Sequence, residues 1–171
     1  MSTTDISPTV PLRLRAPQHR IERRAILWWT LQSLIFTVPI LAGALAAYVF
    51  FESARPWLVV AVVGAVLLPV AGVVVEPWWR YAVHRWEATD EAVYALTGWL
   101  VREWRVAPIS RIQTVDAVRG PLEQLLGLST LRVTTASSEG AITIGGLDKD
   151  VAAEVAERLN QLTQLTPGDA T

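Results

Sequence analysis

Two stretches without a single charged residue constrain this 171-residue chain more than anything else in it. Ile26–Phe51 reads ILWWTLQSLIFTVPILAGALAAYVFF and Trp57–Val75 reads WLVVAVVGAVLLPVAGVVV. About 20 consecutive apolar residues in a helix cross the ~30 Å hydrocarbon core of a bilayer, so both runs are expected to span it. Pro39 and Pro69 are tolerated in such spans. A chain this short has too little other mass to enclose two wholly apolar helices in water. A cleaved leader fits poorly, because the first run is longer than a signal sequence's apolar region and the second would stay behind. Only Glu52–Pro56 separates the runs. The reading is a two-helix transmembrane hairpin: helix at 26–51, a short external loop at 52–56, and helix at 57–75.

Charge gives that hairpin a direction. Arg13, Arg15, Arg20, Arg23 and Arg24 precede it, Arg80 and Arg85 follow it, and the loop holds Arg55 beside Glu52. By the positive-inside rule both termini are expected in the cytoplasm, in a multi-pass arrangement. Trp28, Trp29, Trp57, Trp78 and Trp79 fall at the ends of the runs. With Arg23, Arg24 and Arg80 they are the expected membrane-interface anchors, since indole rings favour the headgroup level. Residues 1–25 form a basic arm that could touch anionic headgroups. Gly43, Ala47, Gly64 and Gly72 would let helices pack with each other, with a second copy or with another protein.

Chemistry is sparse outside the apolar runs. The chain has no cysteine, which removes thiolate nucleophiles, disulfides and cysteine metal sites. Its two histidines, His19 and His84, stand alone, and no residues have metal-ligand spacing. Asp116 has no partner base, and Gly145-Gly146 is not followed by the Gly-Lys-Ser/Thr of a phosphate loop. That glycine pair is expected to make a tight turn from the last strand into a helix. No enzyme activity, cofactor or metal is expected. Residues 78–171 hold nine basic and twelve acidic residues, a balance that argues against nucleic-acid binding.

After Trp79 the pattern turns to short strand-like runs: Tyr81–Thr89, Ala92–Leu96, Trp99–Val106, Ile112–Ala117, Leu131–Ala136 and Ala141–Ile144. In the third, Leu100, Trp104 and Val106 are expected on one face. Pro121–Leu126, stopped by Gly127, reads as a short helical turn. Lys149–Leu162 reads as an amphipathic helix with Asp148 as its N-cap and an apolar stripe of Val151, Val155, Leu159 and Leu162. Residues 163–171 read as a flexible tail.

Several segments carry a family resemblance: RWEATDEAVY at Arg85–Tyr94, GWL at Gly98–Leu100, VAPISRIQTVD at Val106–Asp116, GPLEQLLGLSTLRVTTA at Gly120–Ala136 and GGLD at Gly145–Asp148. In this order, behind an apolar hairpin, they resemble the bacterial pleckstrin-homology (PH)-like domain of the YdbS-like membrane proteins. The resemblance implies a mainly-β PH-like domain over 79–162, its antiparallel strands forming a partly open barrel or sandwich closed by a C-terminal helix. It implies a place in the bacterial cytoplasmic membrane. It also implies a non-catalytic interaction or scaffolding module, whose partners would be the phospholipid bilayer and another membrane protein with repeated PH-like domains. Alternatives are sensing of anionic lipid headgroups and service as an accessory subunit of an enzyme or transporter. Within the most characteristic segment and just beyond it, Arg111, Gln113 and Arg119 are the candidate interaction surface. Leu126 stands where such proteins often carry an aromatic residue, and the first strands are acidic rather than arginine-rich, which weakens the case for headgroup binding.

Overall fold

The computed structural model describes residues 17–136 and 140–165; most of the basic arm, residues 137–139 and the end of the expected tail lie outside them. The chain enters through a two-residue strand β1 (His19–Arg20) and then runs into helix α1 (Arg24–Phe50). A 3-10 turn (Glu52–Ala54) leads into helix α2 (Arg55–Val70), which packs along α1. Next come a π-helical turn (Ala71–Val75) and helix α3 (Glu76–Val83).

Among the described residues α1 is the one helix long and apolar enough to cross a membrane. The expected second span is corrected: α2 has 16 residues, short of the roughly 20 a crossing needs. Pro69 has no N–H to donate one turn back, and two residues later the α-helix widens into the π turn. The expectation of a two-helix transmembrane hairpin falls with this, and so does the multi-pass placement with both termini cytoplasmic that rested on it. Among the described residues, a Cβ at Gly43, Gly64 or Gly72 would meet nothing within 4 Å.

The β domain is likewise less closed than expected. Strands β1, β2 (Arg85–Ala88), β3 (Ala92–Gly98) and β4 (Arg102–Pro108) make one antiparallel sheet, in that order. Strands β5 (Ile112–Val118), β6 (Leu128–Thr135) and β7 (Ile142–Asp148) make another. Among the described residues no strand pairing joins them: they are two open sheets, and not a barrel. Helix α4 (Pro121–Leu126) bridges β5 and β6, and helix α5 (Lys149–Leu165) packs on β5, β6 and β7.

Both sheets feed one core. Trp86, Val93, Ala95 and Ala107 come from the first, Ile112, Val115, Leu131, Val133, Ile142, Ile144 and Leu147 from the second, and Ala152, Ala156 and Leu159 from α5. Val151, expected on the buried stripe of α5, is exposed. The buried face is centred on two alanines, whose small side chains let α5 lie close to the sheet. The core also takes Ile21 from just before α1 and Ala25 and Trp29 from its first turns. The domain therefore does not begin at residue 79. It is assembled from chain on both sides of α1 and α2.

Candidate functional site

The junction between α1 and the β domain combines close packing, hydrogen bonds and an ion pair. Ala25, Trp28 and Trp29 share one face of α1 by their i, i+3, i+4 spacing, and that face lies against β7. Ala25 is wholly buried. Gly146 has φ +78°, and a Cβ there would sit 2.7 Å from the Cβ of Ala25. A Cβ at Gly145 would sit 3.3 Å from the Trp28 ring. The Gly-Gly pair thus lies within β7 and admits the helix, instead of forming the expected turn. The Glu22 N–H donates to the Gly146 carbonyl at 2.9 Å.

Arg24 fastens the same junction by charge. Its guanidinium donates to the Leu126 carbonyl at 3.0 Å and to Asp148 Oδ2 at 2.6 Å. Asp148 Oδ1 accepts the Asp150 N–H at 2.9 Å, so this carboxylate also caps α5, as its position in sequence suggests. The Asp150 N–H first and the Arg24 guanidinium second hold the Asp148 carboxyl below the usual carboxylate range. Trp29 is buried, with the Arg80 guanidinium 4.8 Å from its ring centroid and the His84 ring 5.2 Å away. His84 Nδ1–H donates to the Arg80 carbonyl at 2.7 Å. Burial holds the His84 imidazole below its ordinary value, the nearby Arg80 charge acts the same way, and the hydrogen bond opposes both. His84 is thus a packed side chain whose surroundings favour the neutral imidazole.

The remaining sequence candidates scatter. Arg111 ends a 3-10 turn, and Gln113 sits at an irregularity where the β5–β6 register shifts; both are exposed. Arg119 lies beyond the other end of β5, roughly 25 Å away by strand rise. Its guanidinium is spent on the carbonyls of Leu128 at 3.0 Å and Gln124 at 3.5 Å. The structure therefore does not bring the three together. Of the expected interface anchors, Trp28 and Trp29 pack with the domain core, whereas Trp57, Trp78 and Trp79 are exposed. Arg23 lines an apolar groove with Ile26, Leu27, Thr30, Trp78 and Tyr81. Among the described residues no three of His, Cys, Asp and Glu come together as a metal site would require.

The bacterial PH domain family matches residues 26–163. This chain belongs to that family. The match begins inside α1, not at residue 79, in keeping with an anchor helix that supplies part of the core. This bacterial PH domain protein is also similar to the UPF0699 transmembrane protein YdbS of Bacillus subtilis (strain 168), at 26% identity over 159 residues, 90% of this chain and 97% of that protein. No solved structure matches it. It is a membrane-associated member of the PH-domain superfamily.

What sequence reasoning missed is the junction. Two signals were available: the helical spacing of Ala25, Trp28 and Trp29, and a glycine pair interrupting an apolar strand, which marks close approach of another backbone.

Proposed function

We propose that this protein is a non-catalytic recognition module, mounted on a membrane helix, that assembles with another membrane protein along the outer edge of β4. The observation that carries this reading is the state of that strand. Among the described residues β4 pairs only with β3, and Arg102, Glu103, Trp104 and Arg105 are exposed. An edge with unpaired backbone groups is a template for strand addition. On the face of the β3–β4 pair that meets the start of β7 runs an open groove lined by Ala95, Thr97, Glu103, Arg105, Ala141 and Thr143, which would take a partner's side chains. Because the first turns of α1 belong to the core, this edge is held at a fixed attitude to the bilayer, which suits a partner that is itself in the membrane. A photo-crosslinking residue at Glu103, in the full chain in native membranes, tests the idea. One discrete adduct with a larger membrane protein is expected at Glu103 and not at Glu154 on α5. An adduct at Gln113 instead would move the interface to β5.

A second reading, recognition of an anionic lipid, has support from the groove between α1 and α3. Among the described residues Arg23 is the one cation that lines it, and Ile26, Leu27 and Trp78 give it apolar walls. This is the arrangement an acidic headgroup with an acyl chain would need. Co-purification of a defined acidic lipid that is lost in Arg23→Gln, with no protein adduct at Glu103, would favour it over strand addition.

A further inference from the structure

The turn joining β3 to β4 places three consecutive apolar side chains, Trp99, Leu100 and Val101, outside the core at 40%, 75% and 74% exposure. Core packing does not account for them, and neither does the chemistry of a tight turn, which favours Gly, Asn, Asp and Ser. The turn itself is fixed. Gly98 has φ +105°, and a Cβ there would lie 1.9 Å from the Val101 carbonyl oxygen.

The position of this tip supplies the reason for its composition. The far end of the β3–β4 pair, at Ala92 and Pro108, lies beside Asp90, which pairs with Arg158 of α5 at 2.6 Å. The near end is different: Arg102, the first residue after the tip, lines a groove with Val74, Val75, Trp78 and Trp79. Trp78 in turn shares its other groove with Thr30 of α1. Val74 lies one helical turn, about 6 Å, beyond Trp78. That brings it level with the stretch of α1 where exposed Leu34, Ile35 and Phe36 begin. The strand pair therefore points at the level of α1 where, beyond the single exposed Leu27, three consecutive apolar side chains are exposed, and its tip arrives there carrying Trp, Leu and Val. Arg102 follows with no ion-pair partner among the described residues.

We propose that Trp99, Leu100 and Val101 insert into the lipid interface beside α1, with Arg102 at the phosphate level, so that the domain holds the bilayer at a second point. An indole, two aliphatic side chains and an adjoining arginine are the composition that this depth favours. The inference does not depend on strand addition at β4.

The natural chain has no cysteine, so one introduced cysteine can carry a unique nitroxide. Leu100→Cys, Phe36→Cys on α1 and Glu154→Cys on α5 are labelled in the full-length protein. Each is reconstituted at high lipid-to-protein ratio in phosphatidylethanolamine–phosphatidylglycerol vesicles. Collision with oxygen, which partitions into lipid, is compared with collision with a water-soluble nickel chelate. The ratio of oxygen to nickel accessibility at position 100 is expected on the same side of unity as at position 36 and opposite to that at 154. A ratio at 100 matching that at 154 would place the tip in water and overturn the proposal. An immobilised label reached by neither reagent would overturn it too, since the tip would then be covered by protein.

Discussion

Asp148 is the residue in which most of the junction's polar chemistry meets. One oxygen caps α5 and the other holds Arg24, two residues into the buried edge of α1 from Glu22. Its neighbours are cationic or N–H donors, so its folded pKa lies below the unfolded value. The sign of the pH effect follows. The carboxylate's contribution is fully present above the unfolded pKa, roughly pH 4, and is lost as pH falls through the lower folded value. Asp148→Asn in the detergent-solubilised full chain is therefore expected to be less stable at neutral pH and to lose less stability than the native chain between about pH 5 and about pH 2. Asp148→Ala should cost about 1 kcal/mol from the cap alone. Superimposable pH profiles for native and Asp148→Asn would show that this carboxylate is not linked to folding. Arg24 is partly exposed, so solvent screens its share of the pair, and the cap is the larger part of the loss.

At the scale of elements, Gly146 decides how α1 meets β7. Gly146→Ala adds a methyl 2.7 Å from Ala25 Cβ and forces a left-handed backbone on a residue with a side chain. Roughly 2 kcal/mol is the expected loss, from strain and overpacking together. Adding Ala25→Gly removes the collision but not the strain, so the double variant should recover part of the loss, a non-additivity that signals direct contact. Simple additivity of the two losses in chemical denaturation would deny the contact. Elements set by local pattern were legible in the sequence: Ile112 starts β5, Pro121 and Gly127 bracket α4, and Asp148 opens α5. Elements set by tertiary context were not. Tyr81–Val83 looks strand-like because aromatic and β-branched residues favour sheets, yet it ends α3, where Val83 is buried and Trp79 exposed. Leu100 fits an alternating strand face by pattern alone, but the chain reverses there. An apolar residue that faces lipid reads the same as one that faces a core.

At the scale of the whole molecule, an expected boundary at residue 79 separates anchor from domain, while the structure builds one from the other. Sequence pattern could not show this, because Ile21, Ala25 and Trp29 lie more than a hundred residues before Gly146 and Leu147 and read as the entry to a span. The consequence is testable with truncated chains. Residues 79–165 alone would lack β1, the core contributions of Ile21, Ala25 and Trp29, and the Arg24 contacts to Leu126 and Asp148. Emptying the site of one large core side chain costs about 2–5 kcal/mol, and small domains hold only about 5–15 kcal/mol in all. Removing Ile21 and Trp29 together therefore takes away most of the stability, and the fragment is expected to bind a hydrophobic dye and melt without a cooperative transition. The remedy is specific. Trp29 and Arg80 are in contact, so residues 17–33 can be joined to 74–165 by a short glycine–serine linker in place of the apolar helices. That chain should regain a cooperative melt, and Trp29→Ala within it should lose about 3–5 kcal/mol. If 79–165 melts as cooperatively, and at the same midpoint, as the linked chain, the first turns of α1 contribute nothing to the core. The domain would then be a passenger on its anchor, and the fixed attitude of the β4 edge would have no basis.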